Sequence, residues 1–180
     1  MINKAQLNKV KPFISAQQVR RRVKELAEEI SQDYAGKEVL LVGLLKGAWV
    51  FLADLIRHLT VPVQVDFMSV ASYGSRTESK GAVKIELDLR SGVRGRDVLV
   101  VEDILDSGLT LSFIIRRLKR RKPKSLKLCV LLDKPARRRV LVKPDYVGFV
   151  VPNRFVVGYG ADFAERFRQL PYIGYIEEEK

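Results

Sequence analysis

Cysteine and histidine are nearly absent from this sequence, and their scarcity removes several chemistries. The single cysteine, Cys129, rules out an intramolecular disulfide. A lone thiol fits a reducing compartment. With His58 as the single histidine, almost no ligands remain for a zinc site. A histidine-dependent triad would have to use His58 alone. Long apolar runs are missing too. The best of them, Val39 to Leu45, is cut by Lys46 and Gly47, whereas a membrane-spanning helix needs about 20 apolar residues. The opening MINKAQLNKV lacks the apolar stretch of a signal peptide. The closing IEEEK matches no retention or lipidation signal. No internal repeat, low-complexity segment or linker is evident. These absences predict a soluble, cytoplasmic protein without a membrane partner.

What is present is enough for a core. The chain has 180 residues, 47% hydrophobic and 30% charged, which predicts one domain over residues 1–180. Its formal net charge is +12, a balance that favours anionic partners such as phosphates or nucleic acid.

Ser15 with Gln18 forms a capping box. The helix it opens carries Val19, Val23, Leu26, Ala27 and Ile30 at helical spacing and closes at Gly36. Val39 to Leu45 reads as a strand buried on both faces. Gly47 to Leu59 reads as a helix with Trp49, Leu52, Leu55 and Ile56 inward, and Val63 to Ser72 as a strand. Residues 73–81, YGSRTESKG, form a polar loop. Val83, Ile85, Leu87 and Leu89 alternate with charged residues, the mark of a half-buried strand. A β-rich run from Asp97 to Val101 ends on Glu102 and Asp103. A helix follows from Leu109 to Arg121, with Leu111, Ile115 and Leu118 inward. Further strands are expected at Leu126–Leu132, Tyr146–Val150 and Tyr172–Ile176, and Leu170 to Lys180 as an edge piece. Apolar strands joined by helices predict an α/β fold with a largely parallel central sheet.

In such sheets ligands bind at the carboxyl ends of strands. The informative run is therefore VLVVEDILDSGLT, from Val98 to Thr110. Asp106, Ser107, Gly108 and Thr110 lead into a helix N-terminus, where unpaired N–H groups attract an anion. This is a phosphate cradle without the lysine of a nucleotide-hydrolase loop. Glu102 and Asp103 would repel a phosphate, but they suit sugar hydroxyls or a bridging Mg²⁺. Together these features suit a phosphorylated sugar. Taken one at a time, each also fits a plain strand, turn and helix cap.

VLVVEDILDSGLT resembles the signature of phosphoribosyltransferases, which bind 5-phosphoribosyl-1-pyrophosphate. Leu44–Gly47 (LLKG), Asp66–Gly74 (DFMSVASYG), Leu131–Pro135 (LLDKP) and Phe155–Arg168 (FVVGYGADFAERFR) fall in family order and spacing. With these five segments, from about Pro12 to Ile176, the chain resembles the bacterial-type hypoxanthine (hypoxanthine-guanine) phosphoribosyltransferases. The resemblance implies the type I phosphoribosyltransferase fold: a largely parallel sheet flanked by helices, with a small hood. It also implies transfer of a phosphoribosyl group to N9 of a 6-oxopurine, with pyrophosphate released, in purine salvage.

The resemblance assigns roles residue by residue. Glu102 and Asp103 would hold the ribose hydroxyls with Mg²⁺ nearby, and Asp162 a second Mg²⁺. Asp106 would act near purine N7 as general base or charge stabiliser. Asp106, Ser107, Gly108, Leu109 and Thr110 would bind the 5′-phosphate. Ser107 stands where many members have threonine, and both residues are hydroxyl donors. Lys46 and Gly47 match the pyrophosphate loop, with a cis peptide between Leu45 and Lys46, and Arg168 would also meet pyrophosphate. Lys134 would hydrogen-bond the purine 6-oxo group, since an ammonium donates and cannot accept. Phe155 would stack on the base, Val156 would offer it backbone hydrogen bonds, and Asp162 borders the same pocket. Ser72 and Tyr73 match the start of a mobile loop whose closure excludes water. The implied assembly is a homodimer or homotetramer.

Other residues read as structural: His58 as a helix-end surface residue, Cys129 as a buried small hydrophobe, Trp49 as core or subunit interface. Arg116, Arg117, Lys119 and Arg120 avoid the apolar helix stripe and form a solvated basic face; Arg137, Arg138 and Arg139 form a second cluster. No motif there supports a nucleic-acid site. A regulatory nucleic-acid binder on the same fold is the runner-up reading. A phosphoribosyltransferase for xanthine or a pyrimidine is the third.

Overall fold

The computed structural model describes residues 10–72 and 83–176. After β1 (Val10–Ile14), helix α1 (Ala16–Asp33) begins at the expected capping box. The Gln18 N–H donates to the Ser15 hydroxyl at 3.2 Å, and the Ser15 N–H donates to the Gln18 side chain at 2.9 Å. Then come β2 (Val39–Leu45), α2 (Trp49–Ile56), β3 (Val63–Ser72), β4 (Val83–Leu87), β5 (Asp97–Leu105), α3 (Leu109–Arg120), β6 (Ser125–Asp133) and β7 (Tyr146–Val150). Two short strands, β8 (Val156–Val157) and β9 (Ile173–Ile176), complete the described chain.

Six strands form the main sheet in the order β4-β3-β2-β5-β6-β7. All neighbours are parallel except β3 and β4. Alternate side chains of its inner strands serve two cores. Val39, Leu41, Leu99, Val101, Cys129 and Leu131 pack in one cluster with Val23, Leu26 and Ile30 of α1 and Phe51 and Leu55 of α2. Leu40, Val42, Val98, Val100, Leu128 and Val130 pack in the other with Leu111, Ile114 and Leu118 of α3. Burial on both faces is why these strands read as unbroken apolar runs. Each such side chain contributes about 1.5–3 kcal/mol, against about 0–1 for an exposed ion pair. The sheet's two faces therefore dominate stability.

The remaining strands form a separate antiparallel sheet, β1-β9-β8, which is the hood. Val10, Val157, Phe167 and Leu170 form its small core. The chain leaves β2 toward β3 and β4, then returns to β5 on the other side of β2. That reversal opens a crevice at the carboxyl ends of β2 and β5. The hood segment 158–168 reaches back over it. A β-carbon at Gly160 (φ 102°) would collide with the Gly47 carbonyl oxygen, so the two loops touch through bare backbone.

Several sequence expectations need correction. Helix α2 spans only Trp49–Ile56, and Trp49 is 50% exposed rather than inward. It opens the helix, and Phe51, Leu52 and Leu55 take the buried positions. Strand β5 does not stop at Val101 but runs through the carboxylates to Leu105, because pairing with β6 continues as far as Leu105–Asp133. In α3 the buried position is Ile114, with Ile115 only partly covered. Adjacent isoleucines differ by about 100° around the axis, and the sequence does not say which faces the sheet. The C-terminal piece is not an edge of the main sheet but the central strand of the hood, between β1 and β8. The Leu45–Lys46 peptide is cis, as the resemblance implies. Residues 73–81, the expected loop, lie outside the described residues.

Candidate active site

The acidic edge of the crevice is built by β5. Glu102 and Asp103 follow one another near its end, close enough for their carboxyls to interact. The Asp103 N–H donates to Glu102 Oε1 at 3.0 Å, and the Ile104 N–H to Asp103 Oδ1 at 2.9 Å. Burial first, and then the adjacent Asp103 carboxylate, push the Glu102 carboxyl well above its ordinary range. Asp103 lies against Gly47 of the β2–α2 loop, where a β-carbon would stand within 3.0 Å of all three carboxylate atoms.

Beyond Leu105 the chain turns into a phosphate-sized cradle. Gly108 caps α3 in the left-handed region (φ 83°), and no side chain caps the helix. The Leu109 N–H donates to the Ser107 hydroxyl at 3.4 Å, and the next N–H groups of the first turn, from Thr110 onward, face an anion site with the helix dipole behind them. A β-carbon on Gly108 would strike the Val140 carbonyl. The Ser107 carbonyl accepts from the Arg139 and Val140 N–H groups at 2.9 and 3.1 Å, which fastens the cradle to the segment after β6. The same segment begins with Lys134, whose N–H donates to the Leu105 carbonyl at 3.0 Å.

Lys134 is 4% exposed. Burial lowers its pKa, while Asp106 acts the other way. Asp106 is half-buried, and its Oδ1 is sealed from solvent without a hydrogen-bond partner. Arg137, in a one-turn 3₁₀ helix over Pro135–Arg137, stands 3.6 Å from that carboxylate. A buried oxygen without a hydrogen bond, beside a buried ammonium, is costly unless a ligand arrives with matching polar groups.

On the facing side, the Val151 N–H donates to the Asp133 carbonyl at 2.8 Å, so the stretch leading to Phe155 starts beside Lys134. Phe155 is 47% exposed and meets Phe163 edge-to-face, with ring centroids 5.4 Å apart. It is not a core phenylalanine. Val156 is buried in β8 and pairs with Tyr175 of β9.

The cations gather where the hood meets the β2–α2 loop. Arg168 donates to the Gly160 carbonyl and pairs with Asp162, each at 2.8 Å. Lys46 and Arg168 share one partner, Glu165 Oε2, at 3.1 and 3.2 Å. Lys46 first, and Arg168 next, hold the Glu165 carboxyl below its usual range.

Sequence comparison agrees with this geometry. Residues 13–164 match the family model described as the phosphoribosyl transferase domain. The chain belongs to the phosphoribosyltransferase family. The hypoxanthine-guanine phosphoribosyltransferase of Bacillus subtilis is 51% identical over 167 residues, covering 93% of each chain. The bifunctional protein TilS/HprT of Listeria innocua is 53% identical over 169 residues; the match spans 94% of this chain but 26% of that protein. A crystal structure of a Staphylococcus aureus hypoxanthine phosphoribosyltransferase superposes with a TM-score of 0.92 at 42% identity, covering 98% of this chain and 97% of that one. A Bacillus anthracis hypoxanthine-guanine phosphoribosyltransferase gives 0.88 at 48% identity, covering 93% and 98%. The fold is thus the α/β phosphoribosyltransferase fold with its mostly parallel sheet and flanking helices.

In this phosphoribosyltransferase the structure brings Lys46, Gly47, Asp103, Asp162 and Arg168 around the crevice between β2–α2 and hood. It brings Asp106 and Lys134 together at the other end of the cradle. Ser72 ends β3, paired with Val83, and Tyr73 lies outside the described residues. Sequence reasoning missed Glu165, Arg137 and Phe163. Each sits within three residues of an assigned position, but only the folded turns aim them at it. Among the described residues no three acidic, histidine or cysteine side chains form a metal cage. The Glu102–Asp103 pair still fits a magnesium ion, which is commonly held by one or two carboxylates with substrate oxygens supplying the rest. Burial is the first cause of the raised Glu102 carboxyl and the adjacent Asp103 charge the second, and a bound cation would relieve the latter. No described helix is long and apolar enough to cross a membrane.

Proposed function

We propose that this chain is one phosphoribosyltransferase domain over residues 1–180 that transfers the 5-phosphoribosyl group to N9 of hypoxanthine, and of guanine. The products are IMP or GMP and pyrophosphate, in cytoplasmic purine salvage. The observation that carries this reading is the juxtaposition of a glycine turn at the head of α3 without a side-chain N-cap, an Asp106 oxygen without a hydrogen bond and the buried Lys134 ammonium.

The residues divide the work. Ser107, Gly108, Leu109 and Thr110 take the 5′-phosphate through α3's N–H groups and hydroxyls. Glu102 and Asp103 hold the ribose hydroxyls. Lys46, Gly47 and Arg168 take the pyrophosphate. Lys134 donates to the 6-oxo group, which an amino group in adenine cannot accept. Phe155 offers its exposed face to the ring, and the Val156 backbone its edge contacts. Asp106 accepts the proton at N7 or stabilises the positive charge that grows on the base. Mg²⁺, when bound at Glu102 and Asp103, with a second ion at Asp162, would neutralise charge on the pyrophosphate. Ser72 and Tyr73 would begin the loop that closes over the site and excludes water. We also place the chain in a homodimer or homotetramer, consistent with the exposed Trp49.

The test is a turnover assay with phosphoribosyl pyrophosphate and Mg²⁺, presenting hypoxanthine, guanine, xanthine and adenine in parallel. Turnover of hypoxanthine or guanine, lost when Mg²⁺ is chelated, is expected. Absence of turnover with every 6-oxopurine sinks the reading.

A further inference from the structure

We infer that Glu165 is a built-in competitor of pyrophosphate, a carboxylate of the chain itself that occupies Lys46 and Arg168 until a diphosphate displaces it. The inference rests on the pyrophosphate role proposed for those two cations.

Three observations support it. First, a single oxygen, Glu165 Oε2, bridges Lys46 Nζ at 3.1 Å and Arg168 Nη2 at 3.2 Å. One anionic oxygen between an ammonium and a guanidinium is how a phosphoryl oxygen would sit there. The cations come from different parts of the chain, 119 and 3 residues from Glu165. Second, Glu165 is aimed by its backbone. It lies in a tight turn where the Phe163 and Arg166 N–H groups each donate to the other's carbonyl at 3.1 Å. Its φ of 61° is uncommon for a residue with a β-carbon. Its N–H donates to Asp162 Oδ2 at 2.8 Å. Third, the carboxylate has somewhere to go. Its side chain is 65% exposed, and a cavity of about 550 Å³ lined by Trp49, Asp54, Tyr159 and Arg168 opens beside it.

Exposed ion pairs are weak, so a multiply charged diphosphate wins the cations with ease. The resident carboxylate still subtracts from that affinity. It satisfies the cations in the empty site and speeds loss of the pyrophosphate product.

Glu165→Gln removes the charge and keeps the shape. Calorimetric titration of the full chain with pyrophosphate and Mg²⁺ is expected to show binding about threefold to tenfold tighter than wild type. Inhibition of the forward reaction by pyrophosphate should tighten in parallel. In a Lys46→Met background the Glu165→Gln gain should shrink, because one of the two competed cations is gone. A residue that merely scaffolds the turn would weaken binding when replaced. Unchanged or weaker pyrophosphate binding in Glu165→Gln, with wild type binding normally, overturns this inference alone. If neither protein binds pyrophosphate, the pyrophosphate site itself is wrong and both readings fall.

Discussion

The Asp103 carboxylate lies against the backbone of Gly47, at a spacing that leaves no room for a β-carbon. The contact joins the acidic edge of β5 to the loop that follows β2, the two segments proposed to hold ribose and pyrophosphate. It also explains why a glycine must follow Lys46: any side chain would push the carboxylate or the loop out of place. Gly47→Ala should lower kcat/KM for phosphoribosyl pyrophosphate by roughly 10- to 100-fold, since small misplacements at a reacting centre have effects of this size. The expected change in Tm is small by comparison. Steady-state kinetics beside a thermal melt decides it, and near-normal kinetics would show that the contact is dispensable.

Asp106 presents a sealed carboxylate oxygen without a hydrogen bond. As the proton acceptor or charge stabiliser for the base, its loss as Asp106→Asn should cut kcat by about 10²–10⁴-fold. Phosphoribosyl pyrophosphate should still bind, because the cradle's N–H groups are untouched. Retained turnover within a few fold would remove Asp106 from the chemistry.

Lys134 carries a buried ammonium, proposed to meet the 6-oxo group of the base. Lys134→Gln replaces it with a group that both donates and accepts. Turnover of hypoxanthine should fall by about 10- to 100-fold, the range for a hydrogen bond to a charged group. Discrimination against adenine should narrow. Parallel kcat/KM values for the two bases test this, and unchanged discrimination counts against the assigned contact.

Asp88 ties the start of the β4–β5 connection to α3. Partial burial pushes its carboxyl up, but the guanidinium groups of Arg117 and Arg121 outweigh that and bring it to about 2. Its pKa is depressed on folding, so its contribution is present above about pH 4 and lost as pH falls toward 2. After allowance for solvent screening that contribution is about 1 kcal/mol. Asp88→Asn should therefore lower Tm at pH 7, and the gap from wild type should close between pH 4 and pH 2. A gap independent of pH would assign the loss to packing instead of charge.

Much of the fold was legible in the sequence for local reasons. Ser15 and Gln18 announce α1 because a capping box needs only four consecutive residues. Val39–Leu45 announces a central strand because burial on both faces leaves no polar positions. The phosphate cradle was legible too, as Gly108 and its neighbours are contiguous. The hood was not. Val10–Ile14 pairs with Ile173–Ile176 across almost the whole chain, and neither segment carries a pattern that names its partner.

The sequence by itself determined the main helices and the strands of the large sheet, the glycine turn at the head of α3 and the acidic pair that precedes it. These depend on neighbours within a few residues, where propensity, capping and periodicity act. The tertiary structure alone decided that Lys46 and Arg168 meet on one Glu165 oxygen, that Arg137 stands by Asp106, and that Trp49 faces outward. Those relations join segments far apart in the chain or depend on where the sheet ends. Only closure of the hood over the crevice and packing of the helices on the sheet set them.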